Sequence, residues 1–417
     1  MTVRIIFVRH ARSEANEAEI WQGQGDAVLS ETGRAQAAAL GRRLAAREFD
    51  LVVSSDLSRA HETALATGHP VEVDSTWREM NLGDWEGRTF QEVAVEHPDL
   101  LEAIRAGEAV RFGKIGESIQ EFEDRAHAAL DALVQRVGSG SVAVVTHGGL
   151  IDAIAGRLIG RAGRRTYPIV TNTSLTEIRY ESIGDEPPRY RLQTFNDATH
   201  LGWNEGFLGR MRQEGKTVVG FVRHGVTRAN MERRIQGQTC WGLDDRGRDQ
   251  AARLAASYGP VDRIWSSPIQ RAMETAAALA PPTATPDDDL MEMGFGTWEG
   301  TNYADLLAKG DEIARRIFID GEDLPRGGAE SFADVAKRMR AFLDRVEASP
   351  AERVLAVSHG AAIKSLVADI HGRGTEVNRD LAVSHNTGVT HVVLTDEGPW
   401  LADWSVAPHL TDEDLAS

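Results

Sequence analysis

The chain carries the same ordered set of sequence blocks twice, and this duplication constrains its fold more than any other feature. RIIFVRHARSEAN at 4–16 recurs as VVGFVRHGVTRAN at 218–230, an offset of 214 residues. Three further pairs follow in the same order, at offsets of 212, 213 and 212 residues: 50–64 with 262–276, 78–87 with 291–300, and 141–154 with 353–366. An offset this long and this constant indicates duplication of a whole domain, because solenoid repeats have much shorter periods. We therefore predict one domain over residues 1–205, a linker over 206–216 and a second domain over 217–417.

Each copy alternates short apolar runs with helical patterns. Runs rich in β-branched residues predict strands buried on both faces, in the first copy at Val3–Val8, Leu51–Val53 and Val142–Val145. Apolar residues then recur every three or four positions over 119–137, after a capping box of Ser118 and Glu121, and again over 332–346 after Ser331. This alternation predicts an α/β fold: two tandem three-layer α/β/α domains with mostly parallel sheets.

The composition limits the partners and the compartment. The formal net charge is -17, with -8 over residues 1–210 and -9 over the remainder, so long-range repulsion argues against a nucleic-acid partner. No apolar stretch is long enough for a signal segment or a membrane span, and we predict a cytoplasmic protein without membrane contact. Cys240 is the only cysteine, which excludes an intrachain disulfide and a cysteine-based metal cluster.

Polar residues follow the predicted strands of the first copy. Arg9 and His10 come directly after the first strand, and His147 follows a later one. Ser55 is predicted to be the N-cap of the next helix, which would place Arg59 at the fourth helical position. Ligands of parallel sheets bind beyond the carboxyl ends of the strands, and free N–H groups at helix N-termini favour anions.

The second copy repeats this arrangement. Arg223 and His224 follow its first predicted strand, and His359 follows a later one. The helix cue is stronger here, because Ser267 is followed by a proline at the favoured first helical position, with Arg271 in the equivalent place.

Two histidines, two arginines and a glutamate are the groups that phosphoryl transfer without a metal requires. A guanidinium group can donate two parallel hydrogen bonds to two phosphate oxygens, and it delocalises the negative charge of the transition state. A neutral imidazole can attack phosphorus and form a covalent intermediate, while a second histidine, if protonated, can donate to the equatorial oxygens. A carboxyl group can protonate the leaving alkoxide and then activate water.

The string from Arg9 to Asn16 resembles the RHG signature of the histidine phosphatase superfamily, also called phosphoglycerate mutase-like. Arg223-His224-Gly225 matches this signature more literally, because Ala11 replaces the glycine in the first copy. The other three blocks also resemble the family, so the resemblance covers nearly the whole chain. It implies a phosphoglycerate mutase-like fold in each copy.

The resemblance also implies a role for each matching residue. His10 and His224 would accept the phosphoryl group, and Glu79 and Glu292 would donate the proton, with Asp84, Glu86 and Glu299 as competing acids. The residues implied around the phosphate are Arg9, Asn16, Arg59 and His147 in the first copy, and Arg223, Asn230, Arg271 and His359 in the second. Gln22-Gly23 and Gln236-Gly237 fall where relatives approach the substrate.

We therefore predict a metal-independent phosphomonoester hydrolase that acts through a phosphohistidine on small phosphorylated metabolites, with one site per domain and no cofactor. No HExxH or paired Asp/His spacing occurs, and arginines beside the histidines would repel a metal cation. Two alternatives stay open. One is a phosphoglycerate mutase-type phosphotransferase, although the segments 88–115 and 301–328 are short and rather acidic. The other is that one copy is a non-catalytic phosphate-binding module. The sequence also leaves open that the two domains pack as a pseudo-dimer.

Overall fold

The structure, a computed structural model, divides the chain into two compact units, Met1–Phe207 and Leu208–Ser417, called domain 1 and domain 2 below. Helix Gly206–Gln213 lies in the stretch predicted as a linker. The residues that the structure describes are 1–105, 108, 110–160, 170–182, 188–203, 205–347 and 353–415.

Domain 1 contains a six-stranded sheet with strand order β3-β2-β4-β1-β5-β6. Its strands are β1 Thr2–Arg9, β2 Leu51–Ser54, β3 Glu72–Val73, β4 Gly140–Thr146, β5 Leu175–Glu181 and β6 Arg189–Asp197. The first four strands are parallel, whereas β5 pairs with β1 and β6 pairs with β5 in the antiparallel sense. The predicted, mostly parallel sheet is thus confirmed.

Several helices of domain 1 begin at side-chain caps that are visible in the sequence. Ser30 caps α2, and the predicted capping box of Ser118 and Glu121 opens α6. The α-helices are α1 Glu14–Glu17, α2 Glu31–Leu44, α3 Ser58–Leu65, α4 Phe90–Glu96, α5 Pro98–Arg105, α6 Ile119–Val137 and α7 Gly148–Ile159, followed by α8, the helix Gly206–Gln213. Short 3₁₀ helices lie at Ser75–Trp77, Gly83–Trp85 and Thr199–Leu201.

Strand β1 is buried on both faces, which is what makes the domain three layers thick. Ile6 and Val8 share one cluster with Leu40 of α2, while the intervening Phe7 points to the other face and lies 6.0 Å from the ring of Trp77. Successive side chains of a strand alternate between the two faces, so an uninterrupted apolar run must be covered on both sides. Each fully buried side chain of this size stabilises the fold by about 1.5–3 kcal/mol.

Domain 2 repeats the topology with strand order β12-β11-β7-β10-β8-β9. Its strands are β7 Val218–Arg223, β8 Arg263–Ser266, β9 Thr285–Pro286, β10 Arg353–Ser358, β11 Val389–Thr395 and β12 Gly398–Leu401. Its α-helices are α9 Arg228–Met231, α10 Asp245–Tyr258, α11 Gln270–Leu279, α12 Tyr303–Ala308, α13 Glu312–Phe318, α14 Phe332–Glu347, α15 Gly360–Ile370, α16 Val377–Asp380 and α17 Asp412–Leu415. Its 3₁₀ helices are Asp288–Leu290, Gly296–Trp298 and Arg326–Gly328.

The predicted apolar stripe of α14 faces the sheet of domain 2. Phe342 lies 6.0 Å from Phe221 of β7 and 5.7 Å from Trp265 of β8, measured between ring centroids. Both contacts are edge-on, a favourable arrangement for aromatic pairs. Across the described ranges of both domains, no helix combines the length and the apolarity that a bilayer-spanning helix requires.

Candidate active sites

Three neighbouring parallel strands bring the predicted residues of domain 1 to one edge of the sheet. Strands β2, β4 and β1 lie side by side, and Ser55, His147 and His10 are the residues that directly follow them. Backbone hydrogen bonds continue past the strand ends, since the N–H of His10 donates to Thr146 O at 2.8 Å and that of Ser55 to Val145 O at 2.9 Å. Residues far apart in the sequence are thus held together by the sheet itself.

His10 and His147 face each other in the interior, with 5.2 Å between their ring centroids and almost no exposed surface. His10 Nδ1 lies 2.7 Å from Ala11 O, so this nitrogen carries the proton and Nε2 keeps a lone pair. Arg59 Nε donates to that His10 Nε2 at 3.3 Å. The imidazole is therefore oriented with an unprotonated nitrogen towards a guanidinium group.

Backbone carbonyls hold the rest of the Arg59 guanidinium, whose side chain is buried. Its Nη1 and Nη2 donate to Gly25 O and Gly23 O, both at 2.8 Å. Gly23 has a φ of 50°, and a Cβ built on it would lie 2.2 Å from Glu86 Oε1, so this turn requires glycine. The structure thus joins the predicted residue Gly23 to the site through Arg59.

His147 is held by Ser55, which its sequence context predicts to be a helix N-cap. Its Nε2 lies 2.8 Å from Ser55 Oγ, and its buried Nδ1 makes no hydrogen bond with the described chain. The prediction that Ser55 is a helix N-cap is wrong. Helix α3 begins at Ser58 with Leu57 as its N-cap, which places Arg59 at the second helical position. The Ser55 hydroxyl is hydrogen-bonded to His147 and accepts the N–H of Leu57 at 3.4 Å, so it does not cap the helix.

Glu79 lies at the N-terminus of α7, the helix that follows His147. Its Oε2 accepts the N–H of Gly149 at 3.0 Å, and its Oε1 accepts that of Met80 at 2.9 Å. Arg125 Nη2 also binds the Glu79 carbonyl at 3.1 Å. Both the side chain and the backbone of Glu79 are thus fixed, with the carboxylate at the positive end of a helix.

Asn16 and Gln22 meet at Ser13, which is fully buried. Asn16 Oδ1 accepts the Ser13 N–H at 3.2 Å, and Gln22 Oε1 lies 2.9 Å from Ser13 Oγ. Among the described hydrogen bonds, neither amide is bonded to His10 or His147. The structure places both residues on the loop around the site but does not join them directly to the two imidazoles.

The electrostatics of domain 1 follow from burial and from the arginines. Burial lowers the pKa of His10 well below its ordinary value, and the charges of Arg59 and Arg9 lower it further. Burial lowers the pKa of His147 well below its ordinary value, and the interactions with Arg59 and His10 lower it further. Arg9 is anchored by a hydrogen bond from Nη1 to Val170 O and passes close to the start of α7. Both imidazoles are therefore neutral at neutral pH, inside a pocket with positive charge.

Domain 2 reproduces these contacts. Arg271 Nε donates to His224 Nε2 at 3.1 Å, the His224 and His359 rings are 5.2 Å apart, and His359 Nε2 lies 2.8 Å from Ser267 Oγ. The predicted N-cap at Ser267 is wrong for the same reason as in domain 1, since α11 begins at Gln270 after Ile269.

The arginines of domain 2 are also held by carbonyls. Arg271 donates to Gly237 O at 2.7 Å and to Thr239 O at 3.0 Å, and Arg223 donates to Ser384 O at 2.5 Å. Burial lowers the pKa of Arg223 and of Arg271 to about 10, so both remain cations at neutral pH. Burial followed by the charge of Arg271 lowers the pKa of His224 and of His359 well below the ordinary value.

Glu292 occupies the place of Glu79 with a slightly different contact. Its carboxylate accepts the N–H groups of Ala361 at 3.3 Å and Ala362 at 3.1 Å, in the first turn of α15. The amide pair is repeated as well. Asn230 Oδ1 accepts the N–H of Thr227 at 3.1 Å, and the Thr227 hydroxyl lies 2.9 Å from Gln236 Oε1.

The competing acids have other contacts. Glu86 Oε1 accepts the N–H groups of Gln24 at 2.9 Å and Leu82 at 3.1 Å, and Glu299 Oε1 accepts that of Gln238 at 3.0 Å. These carboxylates brace backbone turns beside the site. Asp84 is exposed.

Some residues at the site were missed in the sequence. Thr63 Oγ1 accepts the Ala11 N–H at 2.9 Å and donates to Arg59 O at 2.6 Å, so it links the two sides of the pocket. Asn172 Nδ2 donates to His10 O at 2.8 Å. Both recur in domain 2, as Thr275 and Asn386, with the same contacts. A residue-by-residue comparison of the two copies would have found them.

In the part of the chain with assigned structure, no group of three or more His, Cys, Asp or Glu side chains is arranged to hold a metal ion. Metal independence remains a prediction.

Comparison with known proteins places both halves in one family. The family model described as the histidine phosphatase superfamily (branch 1) matches residues 5–193 and 219–407. The glucosyl-3-phosphoglycerate phosphatase of Mycolicibacterium vanbaalenii is 40% identical over 218 residues, which cover 48% of this chain and 96% of that protein. The putative phosphoserine phosphatase 2 of Hydrogenobacter thermophilus is 33% identical over 183 residues, covering 43% of this chain and 90% of that protein. A solved mycobacterial glucosyl-3-phosphoglycerate phosphatase with VO3 is 33% identical, covers 46% of this chain and 98% of that chain, and has a TM-score of 0.41.

Proposed function

We infer, because the chain belongs to the histidine phosphatase superfamily (branch 1), that each domain is a metal-independent hydrolase of small phosphomonoesters that works through a phosphohistidine. Two relatives named as phosphatases, each spanning less than half of this chain, support hydrolysis as the reaction. The observation that carries the proposal is the same in both domains. A buried histidine presents an unprotonated Nε2 to an arginine held by backbone carbonyls.

The first step is attack by His10 Nε2 on phosphorus. A P–N bond forms as the bond from phosphorus to the ester oxygen breaks, and the electron pair leaves on that oxygen. The Nδ1 proton stays on the ring, and its bond to Ala11 O at 2.7 Å stabilises the positive charge that develops on the imidazole. Since burial and Arg59 lower the pKa of His10, the ring is neutral before attack.

The charge of the phosphoryl group is balanced by its surroundings. Arg59 and Arg9 can each donate to its oxygens, and Arg59 already lies within hydrogen-bond distance of the nucleophilic nitrogen. The buried Nδ1 of His147 lacks a partner in the described chain and can supply a further donor. These donors are fixed before substrate arrives, so little reorganisation is needed.

Glu79 is the proposed proton donor. A protonated Glu79 gives its proton to the departing alkoxide, which leaves as an alcohol. The resulting carboxylate then takes a proton from water, the hydroxide oxygen attacks phosphorus, and the P–N bond breaks to restore neutral His10 and release inorganic phosphate. The Gly149 N–H, at the N-terminus of α7, donates to the Glu79 carboxyl group and holds it in place.

The test is hydrolysis of p-nitrophenyl phosphate and of a set of phosphorylated metabolites by the full chain after chelation of metals. His10→Ala and His224→Ala are made separately and together. Each single variant should lose the part of the hydrolytic activity that its own domain contributes. The activity of the double variant should fall at least about a thousandfold. His127→Ala, on α6 outside both sites, is the matched control. Full activity in the double variant would contradict the proposal.

A further inference from the structure

The two sites differ at one structurally equivalent position beside the proton donor. In domain 1 the N–H of Phe112 donates to Glu117 O at 3.2 Å, and in domain 2 the N–H of Arg326 donates to Glu330 O at 3.0 Å. The two glutamates precede the corresponding helices α6 and α14. Phe112 and Arg326 thus hold the same place in the two folds, one apolar and one cationic.

The surroundings of these two side chains differ accordingly. Phe112 is buried with its ring edge-on to Trp85 at 5.5 Å. The Arg326 side chain is only 4% exposed, and its Nη1 donates to Asp323 Oδ1 and to Leu324 O, both at 3.0 Å. Its Nε and Nη2 make no hydrogen bond with the described chain. Neither nitrogen is completely enclosed by protein, so this edge of the guanidinium group is accessible to a ligand and can donate hydrogen bonds to it.

Arg326 is close to the turn that follows Glu292. The segment Arg326–Gly328 packs on Gly296–Trp298 so tightly that a Cβ built on Gly327 would lie 2.0 Å from Phe295 O. This contact places the segment that contains Arg326 against the turn that follows Glu292, the proposed proton donor. A group bound there would be on the alcohol side of the substrate, because Glu292 is proposed to protonate the leaving oxygen.

A second difference points the same way. Tyr303 is the first residue of α12, and Phe90 is the first residue of α4 at the corresponding place in domain 1. The Tyr303 ring lies edge-on to the Phe295 ring at 6.3 Å, and Phe295 belongs to the turn on which the segment Arg326–Gly328 packs. Tyr303 and Arg326 thus adjoin the same turn. Domain 2 has a hydroxyl and a cation where domain 1 has two phenyl rings.

We propose that Arg326, with Tyr303, binds a carboxylate on the alcohol part of the substrate of domain 2. The free Nε and Nη2 form the side-on edge of the guanidinium, whose two parallel donors match the two oxygens of a carboxylate. Domain 1, with Phe112 and Phe90 at these positions, lacks this pair of carboxylate-binding side chains. This inference rests on the proposed function, which it deepens by naming a substrate class for the site of domain 2.

The test compares 3-phosphoglycerate with glycerol 3-phosphate, which carries a hydroxymethyl group in place of the carboxylate. The full chain with His10→Ala reports on domain 2, and the ratio of kcat/KM for the two esters is measured. Arg326→Phe introduces the residue type of domain 1. It should lower the ratio by about tenfold or more, as loss of a charged hydrogen bond does, while kcat/KM for glycerol 3-phosphate changes by less than about threefold. Arg326→Lys should give an intermediate ratio, and Tyr303→Phe a smaller decrease.

An unchanged ratio in Arg326→Phe, with hydrolysis retained, would overturn the carboxylate site and leave the proposed function intact. The complete absence of hydrolysis by the parent chain would instead refute the proposed function. In that event the binding of the same two esters is measured by calorimetry. A weakened affinity of Arg326→Phe for 3-phosphoglycerate alone supports the carboxylate site. Affinities equal to those of the parent chain overturn it. Should Arg326→Phe not fold, Tyr303→Phe and Arg326→Lys give the same comparison.

Discussion

His10 Nε2 and Arg59 Nε lie 3.3 Å apart, and His224 Nε2 and Arg271 Nε repeat this relationship at 3.1 Å. The guanidinium donates to the nitrogen that is proposed to attack phosphorus, so it orients the nucleophile and keeps it unprotonated. In each case the same arginine is anchored by two backbone carbonyls. We therefore expect that a cation without the forked geometry of arginine cannot replace it.

Arg59→Lys tests this geometry in a chain whose domain 2 is silenced by His224→Ala. Lysine keeps the charge but cannot bind the two carbonyls and reach His10 Nε2 at the same time, so kcat/KM should fall by about 10²–10³-fold. Arg34→Lys, at an exposed ion pair with Glu62, is the control and should leave kcat/KM unchanged. A loss of less than about threefold in Arg59→Lys would show that charge alone is sufficient.

Ser55→Ala tests the positioning of His147. Without the hydroxyl 2.8 Å from Nε2, the ring can adopt either tautomer, and its Nδ1 is no longer fixed as the donor to the phosphoryl group. We expect kcat to fall about tenfold, the value of one hydrogen bond, with a displaced pH profile of kcat/KM. Ser55→Thr should keep most of the activity, and Ser58→Ala, whose hydroxyl binds Asp26, is the control. Equal pH profiles for Ser55→Ala and Ser58→Ala would exclude this role.

Gly149→Ala tests the placement of the proton donor. A Cβ at Gly149 would lie 2.4 Å from Glu79 Oε1, so the flexible carboxylate must move while the fold is preserved. The loss of kcat should be larger for alkyl phosphates, whose leaving group needs a proton, than for p-nitrophenyl phosphate. Ala361 already occupies this position in domain 2, so Ala361→Gly is the reciprocal variant with little effect. Equal losses for both substrate types in Gly149→Ala would argue against Glu79 as the acid.

The four buried histidines predict how stability depends on pH. Burial, reinforced by the arginines, lowers their pKa well below the ordinary 6.5 in the folded chain: His10, His147, His224 and His359. Below pH 6.5 the unfolded chain binds protons that the folded chain does not. The contribution of these histidines to the free energy of unfolding should thus be fully present above pH 6.5. It should be lost as the pH decreases below 6.5, by up to about 1.4 kcal/mol per pH unit for each histidine.

Urea unfolding at pH 7.5, 6.5 and 5.5 measures this slope. The variant His147→Gln should reduce it, because one of the depressed groups is removed. A free energy of unfolding that stays constant or rises from pH 7.5 to 5.5 would contradict the burial of neutral histidines.

The strands and the strand-end residues were predictable because they depend on local pattern. The apolar run Val3–Val8 lies within β1, and Arg9 and His10 stand at its end, where a parallel sheet gathers its polar residues. The capping box of Ser118 and Glu121 was equally local. These features need only neighbouring residues to be read.

The residues that were predicted wrongly or missed in the sequence are those that form tertiary hydrogen bonds. Ser55 has the sequence context of a helix cap, but its partner His147 lies 92 residues away. Asn172 binds the backbone of His10 over 162 residues, and no local pattern announces that contact. Arg326 is one charged residue in an acidic segment, and only its burial distinguishes it from a solvated side chain.

Trapping the intermediate tests the central claim most directly. Glu79→Gln and Glu292→Gln in one chain should slow release of the phosphoryl group, so that p-nitrophenyl phosphate leaves a covalent adduct that can be quenched in base and mapped by mass spectrometry. The account predicts phosphate on the peptides containing His10 and His224, at the imidazole nitrogen. Turnover by the parent chain without phosphate on either histidine, or with phosphate on His147 or His359 instead, would contradict it.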